Sequence, residues 1–449
     1  MNTRRLASQA LVIGAGIAGS TAALTLADAG CEVTLITGGQ QSDGGNSELA
    51  QGGIIYKAPD VDDAQALERD ILIAGHRSNY VKAVRHLCRK GPEAVERMLF
   101  ERAPVPFERR SNGSLQRTRE GGHSAARILF CADHTGHSIM EALKKAVSAN
   151  VHIRVLQRRT AIDLLTVRHH SQALSYRYQT QNRCLGAYVF NEESGQTETL
   201  LAHQTILATG GVGQLYLHST NAASAVGSGI SMASRAGLAL HDLEFVQFHP
   251  TALYHRLASR SPLITEALRG EGARLLDSAG SPLMPRYDKR GDLAPRDVVA
   301  KAMLEEMLLT GQSCLYLDAT RVEHDLERRF PTVFRACAEI GIDMARESIP
   351  VVPAAHYFCG GILSDLHGRT SLEGLYAVGE CACAGVHGAN RLASTSLLEG
   401  LLWGLCAGRD AAKRIHMRKA PPKRLMQSIP DWESAGSEHN DDPALIAQD

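Results

Sequence analysis

The chain reads as an α/β protein, an open parallel sheet of the nucleotide-binding kind interrupted by an inserted α+β domain. Three observations predict this. Residues 10–13 are an apolar run that leads into Gly14-x-Gly16-x-x-Gly19 and an amphipathic stretch over 20–29, the pattern of strand, tight turn and helix. Residues 33–36 supply the next strand and complete a βαβ start. From about 242 to 358 the chain is richer in Arg, Pro and mixed charge, and nucleotide-type strand and turn signals return at 374–380. The expected organisation is a discontinuous cofactor domain over 1–241 and 359–415, a capping domain over 242–358, and a polar tail over 416–449 without a core of its own.

Between these landmarks, helical patterns fill 62–102 and end at Pro104 and Pro106. A β-rich stretch follows over 151–209. A length of 449 residues suits two to three domains. The formal net charge is zero, so nothing points to nucleic acid or an acidic membrane surface. Residues 1–9 are polar and basic rather than leader-like, and no apolar run is long enough to span a bilayer, so a cytoplasmic location is expected. The ten cysteines include no Cys-x-x-Cys. Cys381-x-Cys383 with His387 lacks a second ligand pair, and His134-x-x-His137 and His169-His170 read as surface or structural, so no metal site is expected.

The glycines of the first turn let backbone N–H groups approach a pyrophosphate at a helix N-terminus, which assigns Gly14, Ala15, Gly16, Ala18 and Gly19 to a dinucleotide. The acid that usually closes the second strand and holds a ribose is replaced by Thr37-Gly38-Gly39, which weakens the case for NAD. Two later segments favour a flavin. Thr205-Ile-Leu-Ala-Thr-Gly-Gly211 is a strand entering a glycine turn, with Thr209 and Gly210 over the cofactor. Leu375-Tyr-Ala-Val-Gly-Glu380 places Glu380 on ribityl hydroxyls. A polar glycine loop adds Asn46, Ser47, Ala50, Gln51, Gly52 and Gly53. Ser394-Thr-Ser-Leu-Leu-Glu399 opens a helix whose N-terminus, at Ser396 and Leu397, suits negative charge on a reduced flavin.

A polar run, Thr118-Arg-Glu-Gly-Gly-His-Ser124, puts the carboxylate of Glu120 where it could hold a cationic substrate group. Arg391, in a glycine-rich turn, suits a planar carboxylate, and His249, His356, Thr265 and Gln247 can hydrogen-bond one.

Together Ala50-Gln-Gly-Gly53, Arg119-Glu-Gly-Gly-His-Ser124, Gln247-Phe-His-Pro-Thr251, Thr265-Glu-Ala-Leu-Arg-Gly-Glu271, Leu293-Ala-Pro-Arg-Asp297, Pro353-Ala-Ala-His356 and His387-Gly-Ala-Asn-Arg391 resemble the succinate dehydrogenase/fumarate reductase flavoprotein superfamily. The likeness runs from about residue 10 to 432 and is greatest to the aspartate-oxidising branch. It implies a Rossmann-like FAD-binding domain with an inserted capping domain. It also implies hydride transfer from L-aspartate to flavin N5, reoxidation by O2 or fumarate, and a first step of NAD synthesis whose iminoaspartate product is consumed by quinolinate synthase. By the same resemblance Arg296 transfers a proton, which an arginine can do if neighbours such as Glu266, Arg269 and Asp297 form a relay that resupplies it; Glu120 is expected to hold the substrate's amino group. Asn46 stands where membrane-bound relatives attach FAD through histidine, so FAD is expected to be non-covalent. Three departures stand out: Ser228 where relatives carry Asp, Gly38 where they often carry Lys, and a chain that reaches Asp449 before the usual C-terminal helical bundle, which is therefore expected to be absent. A plain dicarboxylate reductase or dehydrogenase, or an impaired FAD-binding homologue, stays open as an alternative.

Overall fold

The computed structural model describes residues 5–39, 45–58, 63–179, 181–255, 260–323, 325–417 and 420–433. Strand β1 (Arg5–Ile13) ends in the glycine turn that starts helix α1 (Ile17–Asp28), and β2 (Val33–Ile36) returns beside β1. Helices α2 (Asp63–Ala74), α3 (Val81–Val95) and α4 (Thr135–Ser148) follow, the second continuing into a π-helical turn, Glu96–Arg102. Strands β3 (Ile153–Leu156), β4 (Arg159–Thr166), β5 (Cys184–Asn191) and β6 (Gln196–Leu207) complete a sheet ordered β3-β2-β1-β6-β5-β4. The β3, β2, β1 and β6 pairings are parallel, while β5 and β4 are added antiparallel. β1 and β2 are buried along their paired apolar residues, as strands covered on both faces must be.

Residues 246–358 form a second sheet with a separate apolar cluster that includes Leu253, Ile264, Leu268, Met303 and Val351. Its strands β7 (Val246–Leu253), β8 (Arg274–Leu276), β9 (Leu315–Asp318) and β10 (Ile349–Phe358) pair antiparallel in the order β7-β10-β9-β8. Helix α5 (Arg296–Thr310) lies between β8 and β9 in the chain and packs on β7.

The chain then returns to the first sheet. β11 (Leu375–Ala377) pairs parallel with β6, and α6 (Thr395–His416) lies against α1. Three glycines on successive turns of α6 make that approach close. A Cβ on Gly400 would stand 2.9 Å from Ile17, on Gly404 2.4 Å from the Ala18 carbonyl, and on Gly408 2.7 Å from Thr25. The tail has more structure than its composition suggests. Leu425 and Ile429 enter a small apolar cluster with Leu165, Val167, Leu185 and Tyr188, and Arg5 ties to Asp431 at 2.8 Å. Residues 434–449 of the expected tail lie outside the described residues.

Candidate active site

The registers Ile13↔Ile36, Ile36↔Leu156, Ile13↔Leu207 and Ala377↔Leu207 bring the C-terminal ends of β1, β2, β3, β6 and β11 to one edge. β2 and β6 lie on opposite sides of β1, so the order of strand addition reverses there, the position at which open α/β sheets leave a crevice. The glycine segments converge on it. Gly14 has φ +107°, and a Cβ there would meet the Ala208 carbonyl at 2.2 Å; one on Gly211 would meet the Glu380 carboxylate at 2.4 Å. Asn46 reaches across the crevice. Its amide donates to Asn221 Oδ1 at 2.7 Å and Glu380 Oε2 at 3.1 Å, and its Oδ1 accepts from Ala222 N at 2.8 Å. Burial pushes the Glu380 carboxyl above its ordinary range.

Two helix N-termini open at the same end. Gly16 caps α1 without a side-chain hydrogen bond, and neither α1 nor α6 has an acid in its first turn, so neither positive dipole end is neutralised from within its own helix. The glycine contacts run parallel, Gly400 beside Ile17 and Gly408 beside Thr25, so α6 begins five residues before that level. At the helical rise this is about 8 Å beyond α1. An extended dinucleotide with an electron-accepting ring fits this donor set: glycine turns and a positive helix end for a pyrophosphate, Glu380 for hydroxyls, a second positive end for a ring that gains charge. Asn46 offers no nucleophile, which fits a non-covalent cofactor.

The second sheet supplies most of the remaining site. His249 is fully buried on β7, with Nδ1 accepting from Thr251 N at 3.3 Å and Nε2 buried without a partner. The His356 ring lies 5.3 Å from it, edge to face, and its Nδ1 pairs with Thr220 Oγ1 at 2.8 Å. Both rings are held neutral, well below the usual histidine range, first by burial and then by the nearby Arg296 and Arg391 cations. Thr265 caps a five-residue helix, Glu266–Gly270, accepting from Ala267 N at 3.3 Å and keeping its own proton to donate. Gln247 donates to Asn390 Oδ1 at 2.6 Å and the Arg391 carbonyl at 2.7 Å, and its Oε1 is buried without a partner.

Arg391 is buried over the Tyr357 ring, 4.6 Å from its centroid, with Nη1 donating to Ser396 Oγ at 3.3 Å and Nε unpartnered. Arg296, the first residue of α5, makes a very short ion pair with Glu266, which also contacts Arg269 at 3.5 Å. Burial disfavours the Arg296 cation, but Glu266 outweighs this and holds it charged. Burial likewise opposes the Glu266 anion, and the two arginines overcome it. Asp297 is not part of that chain: it pairs with His76 at 3.3 Å. Three guanidinium groups facing Glu266 and Glu120 leave the pocket net positive, matched to an anionic substrate.

Glu120 joins the two halves. Its Oε2 accepts from Ser394 Oγ at 2.7 Å, and a Cβ on Gly52 would stand 2.7 Å from Oε1. The same serine hydroxyl accepts from Gly53 N at 3.2 Å. Burial raises the Glu120 pKa, with Ser394, Arg296 and Arg391 opposing it.

The structure therefore gathers Glu120, Gln247, His249, Thr265, Arg296, His356 and Arg391 in one place. It puts Gly14, Gly16, Asn46, Ser47, Gly52, Gly53, Thr209, Gly210, Glu380 and Ser396 along the adjoining crevice. Some of the expected cofactor residues also serve packing. Ala18 lies in the α1–α6 seam and Ala50 against Gly136, while Gly19 is required because a Cβ there would meet the Gly14 carbonyl at 1.9 Å. The sequence reading missed Asn221 and Tyr357, and gave Ser394 as a helix start without its bond to Glu120. Tyr357 directly follows His356, so it was within reach of the motif; the role of Asn221 depends on Asn46, 175 residues away, and had no local signal. Ser228 begins a helix, Ser228–Arg235, whose Gly229 abuts Thr209. Among the described residues no group of three or more His, Cys, Asp or Glu could hold a metal, and no helix is long and apolar enough to cross a membrane.

The sequence profile of the FAD-binding domain family matches residues 9–397. The chain is 42% identical to an L-aspartate oxidase of Pseudomonas aeruginosa over 443 residues, covering 97% of this chain and 80% of that protein. It is 43% identical to one from Halobacterium salinarum over 424 residues, covering 94% and 79%. Among solved structures, a mutated E. coli quinol fumarate reductase FrdA superimposes with TM-score 0.84 at 29% identity, over 95% of this chain and 73% of that one.

Proposed function

The chain belongs to the L-aspartate oxidase family, and on that premise we propose that it oxidises L-aspartate to iminoaspartate with non-covalent FAD as hydride acceptor. O2, giving hydrogen peroxide, or fumarate, giving succinate, returns the cofactor to its oxidised form. The observation that carries the substrate assignment is Glu120: a half-buried carboxylate placed between the Gly52–Gly53 loop and a net-positive pocket. A plain dicarboxylate has no use for such an anion, whereas an amino dicarboxylate has an ammonium group to meet it.

Residues 1–241 and 359–415 act as the cofactor domain and 242–358 as the cap. When bound, FAD supplies the acceptor for two electrons and the α-hydrogen. The protein supplies position and charge. Arg391, held on Tyr357, clamps one substrate carboxylate, and His249 Nε2, His356 and the Thr265 hydroxyl donate to the other. Gln247 braces the Arg391 turn through its carbonyl. Glu120 holds the ammonium and fixes which face of the α-carbon is presented. Its raised pKa lets it take a proton as the nitrogen becomes an imine. Arg296, kept charged by Glu266, carries the proton delivered to fumarate and, during aspartate oxidation, serves as a fixed cation. The cap excludes water around these groups. The enzyme works in the cytoplasm, at the first step of NAD synthesis, and quinolinate synthase consumes its product.

Anaerobic titration tests this reading. L-Aspartate should bleach the visible absorbance of the bound flavin, and succinate should not at comparable concentration. Bleaching by succinate alone would make the protein a dicarboxylate dehydrogenase. No bleaching by either would make it a binding protein.

A further inference from the structure

The loop that bears Glu120 has little apolar anchorage: Gly121, Gly122 and Ser124 are exposed, and Gly122 is left-handed at φ +86°. What holds it is ionic and lies behind it. Arg127 is completely buried, with Nε on Asp63 at 2.7 Å and Nη1 on Asp70 at 2.6 Å. Asp70 Oδ2 also accepts from both the backbone N–H and the hydroxyl of Ser124, each at 2.8 Å. Arg127 Nη1 lies 2.9 Å from His123 Nδ1. A guanidinium can only donate, so that nitrogen accepts and the His123 proton is on Nε2, which donates to the Ala393 carbonyl at 3.0 Å. Ala393 precedes Ser394, the serine bonded to Glu120. The contacts close a ring from Glu120 through Ser394, His123, Arg127, Asp70 and Ser124 back to the loop.

One buried arginine with two buried aspartates is an expensive way to fill a core. Apolar side chains of equal volume would stabilise it as well or better, whereas ionic groups select a single arrangement. Among the described residues the cluster holds two backbone segments: the loop that carries Glu120, through Ser124, and the Ala58 N–H, which donates to Asp63 Oδ2 at 2.9 Å.

We propose that Arg127 with Asp70 is the positioning device for Glu120, and so sets the preference for an amino dicarboxylate over a plain one. The inference rests on Glu120 being the ammonium ligand. Arg127 touches neither substrate nor cofactor; it acts by denying the loop other conformations.

The test compares kcat/KM for aspartate oxidation with kcat/KM for fumarate reduction in FAD-loaded enzyme, using Glu120→Gln, Ser124→Ala, Asp70→Asn, Arg127→Lys and Arg127→Leu. Ser124→Ala is the mildest change, removing one hydroxyl from the solvent-facing side of the cluster. The proposal requires Ser124→Ala and Asp70→Asn to lower the aspartate-to-fumarate ratio roughly tenfold, the scale of one lost hydrogen bond to a charged group. The loss should fall mainly on the aspartate KM, with flavin content unchanged. Arg127→Lys, which keeps the charge, should recover part of the ratio relative to Arg127→Leu. If Glu120→Gln changes the ratio and the cluster variants do not, or if they lower both activities equally, the device is only a structural pin. If Glu120→Gln itself leaves the ratio unchanged, the ammonium assignment fails and the proposal falls with it.

Discussion

The Arg391 guanidinium lies 4.6 Å from the centroid of the Tyr357 ring, and the Tyr357 hydroxyl donates to Glu399 Oε2 at 2.9 Å. Glu399 in turn contacts His387 Nε2 at 2.7 Å. The arginine proposed to clamp the substrate is thus backed by an aromatic face that is itself held by a buried carboxylate, and the stack limits the rotamers open to Arg391 before any ligand arrives.

Arg391→Leu should therefore raise KM for aspartate and fumarate alike, roughly a hundredfold, because a buried carboxylate loses its charged partner. Tyr357→Leu should raise both by a smaller factor, about three- to tenfold. Steady-state kinetics with both substrates decides this, and an unchanged KM in Arg391→Leu removes that residue from the site.

Glu120→Gln separates the two chemistries. Aspartate oxidation should fall about a hundredfold with the loss of a charge-assisted contact, while fumarate reduction stays within about threefold. In the unmodified enzyme aspartate affinity should weaken as pH drops through the raised pKa of Glu120, since only the carboxylate attracts an ammonium. Equal losses in both reactions would contradict the assignment.

Gly14→Val tests the cofactor turn. Its φ of +107° strains any L side chain, and a Cβ would stand 2.2 Å from a main-chain carbonyl. Either β1 or β6 must move, and the variant should purify with well under half the flavin of the parent. The flavin-to-protein absorbance ratio reads this directly; full occupancy would show that the turn tolerates bulk.

Acid should destabilise the fold through its buried histidines. Burial, assisted by Arg127, lowers His123 from an ordinary 6.5 to about 4, and His249 and His356 shift the same way. Between those pH values the unfolded chain binds protons that the folded one refuses. The stabilisation is complete above about pH 6.5 and is lost as pH falls toward 4, on the order of 3 kcal/mol for a shift the size of that at His123. Urea midpoints should drop between about pH 7 and pH 5. A flat profile there would mean that these rings are protonated in the native state.

Much of this was legible in the chain because the chemistry requires particular residues. Gly14, Gly19 and Gly53 stand where the backbone approaches too closely for a Cβ, so the sequence carried the constraint in plain form. The motif histidines and arginines were legible for a similar reason, since few side chains bind a carboxylate when buried. What could not be read were pairings between distant segments. Asn46 with Asn221, Ser394 with Glu120 and Arg127 with Asp63 link residues 175, 274 and 64 positions apart. Their residue types are commonplace, and only the fold gives them partners. The tail was read as polar because its apolar residues are few; Leu425 and Ile429 suffice to dock it because a ready apolar face already exists on β4 and β5.

The seam between α1 and α6 has one more consequence. Because Gly400, Gly404 and Gly408 bring backbone close to backbone, the stagger between the two helix ends is a fixed gauge that no rotamer can change. The loop carrying Glu120 is attached to α2 and to the turn that starts α6. The helix end proposed to face the cofactor ring and the carboxylate proposed to face the substrate therefore meet at one residue, Ser394. A substitution at Ser394 would disturb both.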